Sequence, residues 1–159
     1  MRKIGAVLVF VLLCEAVGII STPFTIAAIP TWYATLNKPF FSPPNWIFGP
    51  VWTLLYAMMG VSAYLIWEKG WKNRKVRVAL YFFIAQLFFN FLWSLLFFGL
   101  RSPLLGLIDI IVLWFAILFT MLQFSKSSKP ASYLLIPYLL WVMFATLLNF
   151  SILILNAKV

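Results

Sequence analysis

The chain has 159 residues, 65% hydrophobic, 19% aromatic and only 9% charged, where an ordinary soluble domain carries about 25% charged residues; its solvent is the bilayer. It has no histidine and a single cysteine, Cys14. That excludes histidine-ligated haem, zinc–histidine sites, Ser-His-Asp triads, cysteine-cluster metal sites and an intrachain disulfide. The net charge of +9 does not read as a nucleic-acid patch, because the cations stand at the ends of apolar runs.

Five apolar segments follow one another, each long enough to cross a hydrocarbon core of about 30 Å as a helix. The first, residues 4–24, has a basic start, as a signal peptide does. Its apolar character continues to Ile29, beyond a secretory h-region, and Leu13 before Cys14 departs from a lipoprotein cleavage box. It is therefore read as a retained span. Residues 30–45 form a long loop rich in tryptophan, phenylalanine and proline. The second segment is 46–67, with Pro50 expected in its first turn, where a missing N–H is tolerated. The third, fourth and fifth are 78–98, 104–124 and 132–155. Helices are required because each backbone group must find its partner within its own segment, and a membrane β-barrel would show shorter, alternating segments. The expected architecture is all-α: one domain over 1–159, a bundle of five transmembrane helices without an internal repeat.

The cations set the expected topology. The side holding the N-terminus, side A, has Arg2, Lys3, Lys69, Lys72, Arg74, Lys75, Arg77, Lys126 and Lys129; side B has Lys38, Arg101 and Lys158. Nine against three places side A in the cytoplasm. The basic loop from Glu68 to Arg77 reads as a solvated end that touches anionic lipid. Trp46, Trp67 and Trp71, near segment ends, read as interfacial anchors.

Counting along each helix from side B puts Glu15, Trp52, Asn90, Asp109 and Asn149 about 7–14 Å below the surface, one from each span, directly beneath the 30–45 loop. Polar groups at such depth are costly and face the bundle interior. Helix three shows a stripe of Gln86, Asn90 and Ser94 with Trp93 beside it. Helix five places Tyr138, Trp141, Ala145 and Asn149 near one face, helix two Trp52, Tyr56, Met59 and Gly60, and helix one Glu15, Gly18 and Thr22. Structural hydrogen bonding between helices is the competing reading for these groups. Trp52, Trp93 and Trp141 share faces with polar or small residues and are read as cavity lining. Glu15 and Asp109 have no adjacent cation in sequence and are read as members of a polar cavity or as buried, hydrogen-bonded acids.

The run "WYATLNKPFFSPPNWIFGPVWTLLYAMMGVSAYLIW" is similar to the signature of the TspO/MBR family, the tryptophan-rich sensory proteins of bacteria and the mitochondrial translocator protein, also called the peripheral-type benzodiazepine receptor. "QLFFNFLWSLLFFG", "LIDIIVLW" and "IPYLLWVMFATLLNF" extend the resemblance over nearly the whole chain, as a bacterial-type member. The resemblance implies a five-helix membrane bundle, commonly a homodimer, with a cavity beneath the first loop. It implies binding of porphyrins such as protoporphyrin IX as ligands rather than obligatory cofactors, and of aromatic drug-like molecules. Carried over by motif, the pocket is Tyr33, Trp52, Asn90, Trp93, Trp141, Ala145 and Thr146, and the lid includes Trp32, Lys38, Pro43 and Pro44. Mitochondrial members bind cholesterol through a tyrosine-containing segment at the end of helix five. Here the chain reads "NFSILILNAKV", without tyrosine, and the loose sterol pattern Val61, Tyr64, Lys69 lies elsewhere.

The expected function is tetrapyrrole sensing, sequestration or transport. Light- and oxygen-dependent porphyrin degradation, or sterol and lipid binding, are the alternatives. No histidine base or nucleophile constellation supports dedicated catalysis; at most the tryptophans assist photodegradation.

Overall fold

The computed structural model describes residues 2–157, apart from the side chain of Arg2; Lys158 lies outside the described residues. The helices are α1 (Arg2–Ala28), α2 (Asn45–Trp67), α3 (Arg74–Ser94), α4 (Pro103–Ser125), a short α5 (Lys129–Tyr133) and α6 (Ile136–Asn156). Five stretches are long and apolar enough to cross a membrane, α5 and α6 together making the fifth, and no strand occurs among the described residues.

Local chemistry fixes the boundaries. Asn73 caps α3 by accepting from the Lys75 amide at 3.0 Å, so the helix starts at Arg74 rather than 78. Ser102 accepts from the Leu105 amide and Pro103 follows it, the favoured pairing for a helix start. Ser128 caps α5 in the same way. The fifth span is one stretch in sequence but two helices in space. Pro137 has no N–H for the Tyr133 carbonyl, and the chain breaks at Leu134 and Leu135. α2 begins at Asn45, which puts Pro50 in its second turn rather than its first and leaves the Trp46 carbonyl without its helical donor. Pro23 stands inside α1 with the same effect on Ile19. Gly70, at φ 101°, supplies the left-handed step of the α2–α3 turn.

α3 packs along α4, α4 along α6, and α1 along α2 and then α3. Two contacts identify the ends that lie together. Lys3 pairs with Glu68 at 2.8 Å, and the side chain of Asn156 bonds both the amide and the carbonyl of Asn37 at 2.9 Å. Thus the start of α1 meets the α2–α3 turn, and the first loop meets the end of α6.

α1 is the helix that shapes the interior. Near side A it lies hard against α2: a methyl group on Gly60 would overlap the backbone of Val11, and Phe10 packs on Tyr64 and Trp67. Further along, it leans toward the end of α3, where Phe24 meets Phe91 at 6.3 Å and approaches Gly99. α1 and α2 therefore diverge toward side B. α2 and α6 are spaced by large rings, Trp52 on Tyr138 at 6.2 Å and Phe48 on Trp141 at 6.0 Å. The side-A half is tightly filled around Met59, Ile66, Val76, Ile117 and Phe124. The side-B half is hollow.

Candidate functional site: a cavity under the first loop

A cavity of about 440 Å³ occupies the side-B half. Its walls come from α1, the first loop, the early turns of α2, the end of α3 and the outer half of α6. α4 contributes nothing, because it lies behind α3 and α6. The size falls within the range of about 300–1,000 Å³ usual for small-molecule sites.

The floor is a hydrogen-bonded chain. The Tyr56 hydroxyl donates to Asn90 Oδ1, Asn90 Nδ2 to the Tyr138 hydroxyl at 2.9 Å, and that hydroxyl to Gln86 Oε1 at 2.8 Å. Gln86 Nε2 lies 3.9 Å from Met59 Sδ. Every donor points the same way, from the cavity toward the packed half, the arrangement in which successive bonds polarise one another. The Gln86 and Asn90 spacing in α3 thus has a structural role, and Asn90 also faces the cavity. The far wall has a second link: Trp93 Nε1 donates to Asn149 Oδ1 at 3.2 Å, and Asn149 Nδ2 to the Pro103 carbonyl at 2.8 Å.

The rest of the far wall depends on a backbone irregularity. Residues Leu95–Gly99 form one π-helical turn, closed by the Leu100 amide on the Leu95 carbonyl at 2.8 Å. Such turns are rare and gather at functional sites. This one brings Phe97 onto Trp93 in a stacked pair, 5.2 Å and 16° apart, with Phe98 edge-on to both. Tyr33, buried in a short 3₁₀ turn (Tyr33–Thr35), closes the top against Phe97 and Phe98. Lys38 Nζ stands 4.7 Å from the Tyr33 ring centroid, the one cation among the described residues of this roof. Burial raises the Tyr33 phenol above its ordinary pKa.

Tyr33, Trp52, Asn90, Trp93 and Ala145 line the cavity, and so do Glu15 and Asn149. Trp141 and Thr146 do not. Trp141 sits lower on α6 between Phe48 and Phe144, its buried indole N–H without a protein partner. Thr146, one residue past Ala145 and so turned about 100° around the helix, lines a separate shallow groove with Ile111 and Trp114. Asp109 is buried on α4 away from the cavity, with Oδ2 unpartnered. Trp32 packs behind Phe97, and Pro43 and Pro44 lead into α2 without lining the space. Tyr64 of the loose sterol pattern is buried against Phe10 and Trp67 near side A, not on the cavity.

Phe48, Phe97, Phe98 and Thr25 line the cavity unannounced. The four-residue step from Trp93 to Phe97 was a readable signal; the π turn that re-aims Phe98 was not. Trp46, expected as an interfacial anchor, is at the cavity mouth. It is 73% exposed, and Ile19 and Ile26 of α1, also lining residues, are 68% and 65% exposed. The cavity therefore reaches the lipid-facing surface between α1 and the first turns of α2.

The TspO/MBR family profile matches residues 10–155. The chain is 51% identical over 143 residues to the tryptophan-rich protein TspO of Archaeoglobus fulgidus, covering 89% of this chain and 91% of that one. It is 40% identical over 122 residues to the human translocator protein, covering 76% and 72%. It is 35% identical over 147 residues to the tryptophan-rich sensory protein of Cereibacter sphaeroides, covering 92% and 90%. With its five spanning stretches, this chain is a multi-pass integral membrane protein belonging to the TspO/MBR family.

Proposed function

We propose that this protein binds planar tetrapyrroles of the protoporphyrin IX kind, and flat aromatic drug-like molecules, in the cavity under the first loop, and that it serves tetrapyrrole sensing, sequestration or transport. The observation that carries this reading is a cavity of about 440 Å³ walled by the rings of Trp52, Trp93 and Phe97. Flat faces of this kind reward a flat ligand through stacking and apolar burial. Among the described residues no lysine or arginine lines the cavity, so a porphyrin would enter with its apolar edge first and keep its carboxylates at the rim near Lys38. The ligand is not an obligatory cofactor.

Titration of the purified protein with protoporphyrin IX, read by quenching of tryptophan fluorescence, tests the proposal. Trp52→Ala and Asn90→Ala are expected to weaken binding at least tenfold. Parent-like binding by both variants would show that the ligand sits elsewhere.

The same reading places the protein in a prokaryotic cell membrane as a homodimer, N-terminus inside. The orientation is supported by the division of cations between the two ends, with Lys3 and the basic α2–α3 turn on one face. Labelling of single cysteines in the 68–77 turn by an impermeant maleimide should require broken cells.

A further inference from the structure

Among the described residues Glu15 is the single charged side chain on the cavity wall. It lies near the middle of the α1 span and has no ion-pair or hydrogen-bond partner among the described residues. An ionisable group at that depth is costly and ordinarily has a partner. The groups beside it have committed their protons. Ser21 Oγ and Thr22 Oγ1 both donate to the Gly18 carbonyl at 2.8 Å. The Tyr56 hydroxyl, across from Gly18, donates to Asn90, and Trp93 donates to Asn149. What these hydroxyls still present to the cavity is lone pairs. Pro23 adds to this side by leaving the carbonyl of Ile19, another lining residue, without its helical N–H. The α1 side and the floor of the cavity are thus a surface of acceptors around one carboxyl group, with no cation among the lining residues to satisfy it.

We infer that Glu15 makes this cavity selective for flat aromatic amphiphiles bearing an ammonium or amidinium group, with the cationic N–H donors meeting the Glu15 carboxylate and the ring stacking on the tryptophan wall. The gap between α1 and α2 lets such a molecule come in from the bilayer, where cationic aromatics concentrate. The inference rests on the cavity being a ligand site, as the proposed function does, but not on porphyrin being the ligand. A porphyrin's carboxylates point away from Glu15 in that reading, so the two ligand classes share the rings and differ in the pole they use. A charge-assisted hydrogen bond is about twice as strong as a neutral one.

The test uses a matched pair of fluorescent probes, 1-pyrenemethylamine and 1-pyrenemethanol, binding to the full chain in an uncharged detergent. Energy transfer from tryptophan to pyrene reports occupancy. The expected result is that the amine binds at least tenfold more tightly than the alcohol. The ratio should fall to about one in Glu15→Gln and be kept in Glu15→Asp, with gel-filtration profile and melting temperature as the controls for folding. A ratio near one in the parent overturns the inference, as does a preference that survives in Glu15→Gln, or a failure of both probes to bind. If protoporphyrin fails in its own titration while the amine ratio behaves as described, the porphyrin reading falls and this one stands. The reverse result removes only the role given to Glu15.

Discussion

The two halves of the bundle are built from the same helices and the same aromatic-rich vocabulary, yet one is filled and the other is hollow. In the side-A half, Phe83 stacks on Phe124 at 5.8 Å, the Ser62 hydroxyl reaches the Ala131 carbonyl at 2.6 Å, and Ser132 reaches the Met121 carbonyl at 3.0 Å. Small residues let backbones meet there, as Gly60 does for Val11. In the side-B half, indole and phenyl rings hold α2 away from α6, α1 leans off toward the end of α3, and no side chain fills what remains. The lesson is that an apolar, aromatic composition does not determine packing density. The position of the small residues does, and the Tyr56–Asn90–Tyr138–Gln86 chain marks the boundary between the two regimes.

Substitution at glycine separates the halves most sharply. Gly60→Ala puts a methyl group into the backbone of Val11, which cannot give way without moving α1. Gly18→Ala puts one 2.5 Å from the edge of the Tyr56 ring, a side chain that can yield into the cavity. The expected cost at Gly60 is about 3 kcal/mol or more, at the top of the overpacking range. At Gly18 it is nearer 1 kcal/mol, about the worth of the Tyr56 hydrogen bond that the shift would disturb. Unfolding in mixed micelles should rank the two variants in that order. Equal losses would mean that the side-B half is as rigid as the other.

The boundary itself is tested by Tyr138→Phe. Removing that hydroxyl strands Asn90 Nδ2 and Gln86 Oε1 together in a buried place. A loss of about 1–3 kcal/mol is expected, together with weaker binding of any cavity ligand, since Asn90 loses one of the two bonds that aim it. Unchanged stability would show that the chain is decorative and that the two halves are divided by shape alone.

The smallest effect is expected at the exposed ion pair that ties α1 to the α2–α3 turn. Its hydrogen bond from Lys3 holds the Glu68 carboxyl below the usual range. A lowered carboxyl pKa contributes stability above the unfolded value and loses it as the pH falls through the folded one. Both partners are in water, where such pairs contribute little. Glu68→Gln should therefore melt with the parent at pH 7 and at pH 3.

Much of the fold could be read from the sequence, because bilayer thickness turns hydrophobic run length directly into helix length. The spans, the interior stripes on α2, α3 and α6, and the residues Asn90 and Trp93 follow from depth and periodicity. Three features did not. The break between α5 and α6 is a consequence of where Pro137 falls in a run that otherwise stays apolar throughout. The π turn at Leu95–Gly99 leaves no compositional trace, so the place of Phe98 on the cavity wall is not legible in the sequence. Depth counting placed Asp109 level with the cavity, but depth says nothing about which helix stands behind another, and α4 stands behind. Trp141 illustrates the same limit: it is one turn from Ala145 on α6, but it packs against Phe48 and Phe144 and does not line the cavity.

The clasp between Asn37 and Asn156 carries a consequence for biogenesis. It joins a residue in the first loop to one at the end of the last helix, 119 positions further along the chain, so every helix after α1 lies between the partners. A nascent chain enters the membrane from its N-terminus, and α1 and α2 are in place well before α6 exists. During that interval the first loop has only the packing of Trp32 and Tyr33 on Phe97 and Phe98 to hold it, and its far end lacks the Asn156 clasp. The roof is the last part of the molecule to be completed, and its completion signals that the final helix has inserted.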